Sequence, residues 1–122
     1  MKNPFRRFLA SSRPDTDFKF FKKTELIANL DVPYIILELH EPAEVCGFID
    51  ISNLTGGDRI EVSLLTKAED KDFRPLRSII LAGPPSEPWL QVEEHFYPNL
   101  QVTLNQKSGI AGRKFRAFFY KR

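Results

Sequence analysis

Apolar and polar residues alternate with a period of two along most of this chain from residue 24 onward, which is the signature of half-buried β-strands. Leu26, Ala28 and Leu30 alternate with Glu25, Ile27 and Asn29 in the first run. The second, Tyr34 to His40, sets Ile35, Leu37 and Leu39 on one face and stops at Glu41-Pro42, because proline has no N–H for a ladder. Val45, Gly47, Ile49 and Ile51 share a face in the third, and Ile60, Val62 and Leu64 form the inward side of the fourth. A fifth strand is predicted over Leu76 to Ala82, and a short sixth carries Trp89, Leu90 and Val92. Leu100, Val102 and Leu104 alternate cleanly with Gln101, Thr103 and Asn105 in the seventh. The last, Arg113 to Tyr120, points Phe115, Ala117 and Phe119 inward and shows Lys114, Arg116, Phe118 and Tyr120 on its other face.

The segments between these runs are turn chemistry. Ser52 to Asp58 contains Gly56-Gly57, which permits positive φ, and Asn53 and Asp58, whose side chains bond local backbone. With strands on both sides, this is the clearest hairpin signal in the chain. Gly83-Pro84-Pro85-Ser86, Pro98-Asn99 and the glycine-bearing run Lys107 to Gly112 mark further turns. About eight short strands with no helical pattern of useful length predict an all-β fold, an antiparallel β-sandwich of jelly-roll or Greek-key type. At 122 residues one core suffices.

Residues 1–23 break the pattern. Pro4 and Pro14 interrupt any periodicity, and Phe5, Phe8, Phe18, Phe20 and Phe21 are interleaved with Lys and Arg. A segment that never orders is usually poor in aromatics. The expected organisation is therefore an extended basic, aromatic N-terminal arm over 1–23 and a β-sandwich domain over 24–122.

Charge follows the same division. Residues 1–23 carry net +5, residues 24–106 net −9 and residues 107–122 net +6, so the overall +2 conceals two basic ends on an acidic body. Such ends are suited to a neighbouring copy, a nucleic acid or an anionic surface.

Reaction chemistry is not evident. His40 lies beside Glu38 in strand alternation, and His95 follows Glu93-Glu94, but a metal site needs three or four converging ligands. The glycine pairs lack the Lys-Ser/Thr of a phosphate loop, and no serine sits in a nucleophile elbow. Cys46, the single cysteine, has no intramolecular disulfide partner and reads as a small buried hydrophobe. The cluster Glu69 to Asp72 reads as a solvated loop. The first ten residues lack the apolar core of a secretory signal, and no run approaches the length of a membrane span. The expectation is a non-enzyme without metal or cofactor.

The turn and strands Phe48-Ile49-Asp50-Ile51-Ser52-Asn53-Leu54-Thr55-Gly56-Gly57-Asp58-Arg59-Ile60-Glu61-Val62, Leu100-Gln101-Val102-Thr103-Leu104-Asn105-Gln106 and Gly112-Arg113-Lys114-Phe115 resemble a group of small all-β proteins encoded in viral and proviral structural-gene neighbourhoods. The resemblance implies a virion component, such as a capsid, decoration or tail-associated subunit, assembled in the host cytoplasm. Its expected partners are copies of itself, as a homo-oligomer, or a major shell protein, with no membrane involved. The residues expected to carry the contacts are Phe5, Arg6, Arg7, Phe8, Phe18, Phe20 and Phe21 of the arm, with Lys114, Arg116, Phe118 and Tyr120 as a second face. Single-stranded nucleic-acid binding by the same residues is one alternative, through phosphate neutralisation and base stacking. Carbohydrate binding at Trp89, Phe96 and Tyr97 is another.

Overall fold

A computed structural model describes residues 18–67, 72–94 and 99–122 of the chain. They form eight strands in chain order: β1 Lys19–Ala28, β2 Pro33–Leu39, β3 Val45–Asp50, β4 Arg59–Thr66, β5 Arg74–Ala82, β6 Trp89–Glu94, β7 Leu100–Ser108 and β8 Arg113–Lys121. Two four-stranded sheets result, ordered β1-β8-β3-β6 and β2-β7-β4-β5, and every neighbouring pair is antiparallel. The expected antiparallel β-sandwich is therefore the fold. Among the described residues no helix is long and apolar enough to cross a membrane.

The pairings have a simple order. β1 pairs with β8, β2 with β7, β3 with β6 and β4 with β5, so the chain is one long hairpin whose strand pairs alternate between the sheets. Its tip is the connection between β4 and β5. Within each sheet a further ladder joins two of these pairs, β3 with β8 in one and β4 with β7 in the other.

The core lies between the sheets. Ile49, Ile60, Val102, Leu104, Phe115 and Phe119 are among its fully buried side chains, each at an inward position of its strand. Period-two burial is clearest in β7 and β8, central strands with apolar residues at alternate positions. β5 is the opposite case, an edge strand with eight of its nine residues exposed.

Three expectations change in the structure. The turn 52–58 does not close a hairpin, because β3 and β4 belong to different sheets. Ile51 and Leu54 are buried and Asp58 bonds across to other loops, so the segment arches from one layer to the other. In β2, Ile35 is 56% exposed, whereas Ile36 and Leu37 are both buried. A register shift between Ile35 and Leu37 inserts the extra residue Ile36, and this bulge reverses the alternation that had placed Ile35 inward. The boundary drawn at residue 23 also moves, since Lys19 to Lys23 are already strand, laddered to Phe118–Lys121. Of the expected arm, residues 1–17 lie outside the described residues, including Phe5, Arg6, Arg7 and Phe8.

A candidate interaction face on the outer surface of one sheet

The strand registers of the β1-β8-β3-β6 sheet determine what its outer surface displays. Residues directly opposite each other in an antiparallel pair share a face. Phe20 stands opposite Tyr120, and Tyr120 opposite Cys46. In the next row Lys23 meets Phe118, and Phe118 meets Phe48. Glu25, Arg116, Asp50 and Trp89 follow in a third row.

Aromatic rings dominate this face. Phe20 and Tyr120 pack edge to face at 5.6 Å between ring centres, Phe48 and Tyr120 at 6.1 Å, and Trp89 and Phe118 at 5.9 Å. Phe18 folds onto the same layer, forming with Cys46 and Phe48 a second apolar cluster separate from the main core. The Arg122 guanidinium lies 4.4 Å from the Phe18 ring centre, and the Lys23 ammonium 5.6 Å from that of Phe118. Phe20 remains 54% exposed at the margin.

The sequence-predicted contact residues separate accordingly. Phe18, Phe20, Lys114, Arg116, Phe118 and Tyr120 all lie on this outer face. Phe21 does not; it sits at the β1 register shift and packs against the main core. Phe48 and Trp89, which complete the aromatic layer, were not assigned to it from sequence. Phe48 falls opposite Val45, Gly47, Ile49 and Ile51 in the alternation, but only the pairing with Phe118 puts it in the same aromatic layer as β8. Of the aromatic sugar candidates, Trp89 is half-buried against Phe118, and Phe96 and Tyr97 lie outside the described residues.

The charges on the face are matched. Arg116 donates to Asp50 at 2.8 Å, Lys114 approaches Glu25 at 3.4 Å and Lys23 approaches Glu25 at 2.7 Å. Burial pushes the Asp50 carboxyl up, but hydrogen bonds from Ser52 and Arg116 outweigh it and hold the group below its usual value. Hydrogen bonds from Lys23 and Lys114 likewise lower Glu25.

This matching extends through the whole basic C-terminal stretch. All six cations of residues 107–122 have acidic partners from the body: Lys107 with Asp31, Arg113 with Asp58, Lys114 with Glu25, Arg116 with Asp50, Lys121 with Glu41 and Arg122 with Glu44. The net +6 read from sequence is neutralised locally, for the cations on and after β8 because that strand lies between β1 and β3, and for Lys107 of β7 by Asp31 in the connection after β1. The exposed pairs among them add little stability, unlike the buried Arg113–Asp58 pair, but all of them weaken the positive field a polyanion would follow.

Elsewhere the polar groups tie the fold together. Asp58, 1% exposed, accepts from Thr55 N at 2.7 Å and Ile110 N at 2.9 Å, with Arg113 at 3.0 Å. At the other end His40 contacts Asn99 Oδ1 at 3.0 Å and Glu38 Oε2 at 2.8 Å. Among the described residues no three His, Cys, Asp or Glu side chains gather as a metal site would require.

Set against known protein families, curated proteins and solved structures, the chain matches none.

Proposed function

We propose that this chain is a structural subunit of a virion-type assembly, docked through the outer face of its β1-β8-β3-β6 sheet onto copies of itself or onto a major shell protein. The observation that carries the reading is the aromatic layer Phe20, Tyr120, Phe118 and Trp89 lying on a face whose cations are already paired. Flat rings held against each other lose little entropy when a partner covers them, and aromatic residues are enriched where protein interfaces concentrate their energy.

The strand order supports the same reading. A hairpin of four strand pairs, with the pairs alternating between two sheets, supports reading the sandwich as a jelly roll. Jelly rolls serve as shell proteins and also as lectins and cupins, so the fold alone does not select a function. The paired cations favour protein contact over nucleic acid, and the edge-to-face packing of Trp89 favours it over a sugar platform.

The test is the native mass of the full chain by light scattering at ~0.15 M and ~0.6 M salt, since apolar contacts are barely screened over that range. The expected result is a species larger than a monomer at both salts, diminished by Phe20→Ser with unchanged circular dichroism. A monomer that binds oligonucleotides with affinity falling linearly in log salt would replace this reading with the nucleic-acid one. Glycan binding lost in Trp89→Ala would replace it with the sugar one.

A further inference from the structure

The sandwich has two open sides, and on each of them one sheet ends in a basic edge strand and the other in an acidic one. On one side β1 and β2 are the edge strands of their sheets and approach each other, Thr24 Oγ1 donating to Ile36 O at 2.8 Å. On the other side β6 and β5 are the edges, with Arg77 Nη2 reaching Glu93 O at 3.3 Å. Between β5 and β6 the sheets part around a cavity of about 360 Å³, lined by Val62, Leu64, Ile79, Leu90 and Val92 among others.

The composition of the four edges is ordered. β1 holds three lysines and one glutamate, and β6, the opposite edge of the same sheet, holds two glutamates and no cation. β5 holds two arginines and no acid, and β2, opposite it, holds one glutamate and no cation. Each sheet thus ends in one basic and one acidic edge. Lysines alone would be an ordinary way to blunt an edge against pairing. The opposite sign on the far edge of the same sheet turns them into a means of selecting a partner.

Direction agrees with charge. Neighbouring strands alternate in direction across four-stranded sheets, so the two edges of a sheet run antiparallel to each other. A copy carried sideways therefore sets its β6 antiparallel to β1 and its β5 antiparallel to β2. We infer that a second copy of this chain adds edge to edge in this head-to-tail sense, the β5/β6 side of one subunit meeting the β1/β2 side of the next. The inference rests on the reading of the chain as an assembling subunit, but its contact runs along the strand edges and not across the aromatic face, whose margins are Phe20 and Lys23 on β1 and Glu93 on β6.

Head-to-tail addition joins β1 (basic) to β6 (acidic) and β2 (acidic) to β5 (basic) in one contact. Two-fold pairing of any edge with itself would oppose like charges, at a cost where they face directly. The contact also covers Ile79, Ile80 and Leu76 of β5 and Ile35 of β2, all exposed in the single subunit. Because the two joined surfaces differ, addition continues into a ring or a filament instead of stopping at a dimer.

The experiment compares the full chain with two variants, Lys19→Glu/Lys22→Glu and Glu93→Lys/Glu94→Lys, by light scattering and analytical ultracentrifugation, with circular dichroism as the check on folding. Each variant alone is expected to weaken association at least about tenfold, and an equimolar mixture of the two to recover it, because the reversed edges complement each other. A variant that assembles like the native chain, or a mixture that stays dissociated while the native chain assembles, overturns the head-to-tail contact. Assembly lost in Phe20→Ser but unchanged in both edge variants overturns this inference alone, and a native chain monomeric throughout overturns the assembly reading as well.

Discussion

Arg113 on β8 holds the buried carboxylate of Asp58 at 3.0 Å, closing an end of the sandwich where three connections meet. Thr55, Ile110 and Gly83 all bond to Asp58, through its side chain or its carbonyl. Gly109 passes so close, at φ +102°, that a Cβ there would strike Asp58 Oδ1. Removing the carboxylate would orphan two amides and leave the Arg113 guanidinium with only the Thr55 hydroxyl. Asp58→Ala is expected to cost about 3 kcal/mol, read from urea unfolding, and Gly109→Ala to destabilise through the same node.

Asp58 also gives the protein an acid limit. Burial pushes its carboxyl up, but the Thr55 and Ile110 amides, the Thr55 hydroxyl and Arg113 together keep it below the ordinary value. A group lowered on folding contributes stability in full above its unfolded pKa, about 3.9, and loses it as pH falls through the folded value. The native chain is expected to lose stability steeply below about pH 4, and Asp58→Asn to flatten that slope, as measured by thermal unfolding against pH.

Adjacent residues on β8 separate folding from docking. Phe119 is wholly buried in the core, whereas Phe118 lies on the outer face against Trp89. Phe119→Ala is expected to cost about 3–5 kcal/mol. Phe118→Ala is expected to cost roughly 1–2 kcal/mol while reducing the native mass. Comparing the two variants by unfolding and light scattering checks both expectations.

His40 provides a titration with a known sign. Asn99 Oδ1 and Glu38 Oε2 each face one of its ring nitrogens, so the doubly protonated ring satisfies both, and its pKa is raised. The stabilisation this gives is complete below the usual imidazole value and fades as pH rises through the raised one. NMR titration is expected to give a His40 midpoint above about 6.5, lowered by Glu38→Gln.

Cys46 is expected to be inert while folded. Burial, with a smaller contribution from the charge of Glu93, pushes its thiol up to about 12. An alkylating reagent at about pH 8 should label it only in denaturant, since the thiolate is the reacting species.

The strands were legible in sequence because period-two burial is a local property, clearest in Leu100 to Leu104 and Phe115 to Phe119. The Ile36 bulge was not, since an apolar pair such as Ile35-Ile36 fits either register. The arch at 52–58 resembles a hairpin turn because the same glycines and aspartate serve both geometries. Only long-range partners, Ile110 and Arg113, distinguish them. The aromatic face was half legible: Phe118 and Tyr120 follow from alternation on β8, but their contacts with Phe48 and Trp89 join strands far apart in the chain. Charge sorting was plain in composition, but its neutralisation follows from where β8 lies.

That position has a consequence for biogenesis. β8 is the last strand in chain order, yet it separates β1 from β3. A nascent chain still lacking its last strand cannot build that sheet, and the early strands must wait with unsatisfied backbone until the late one inserts. Folding is then governed by distant contacts and should be slow, so the emergence of β8, more than any early nucleus, sets when the sheet closes.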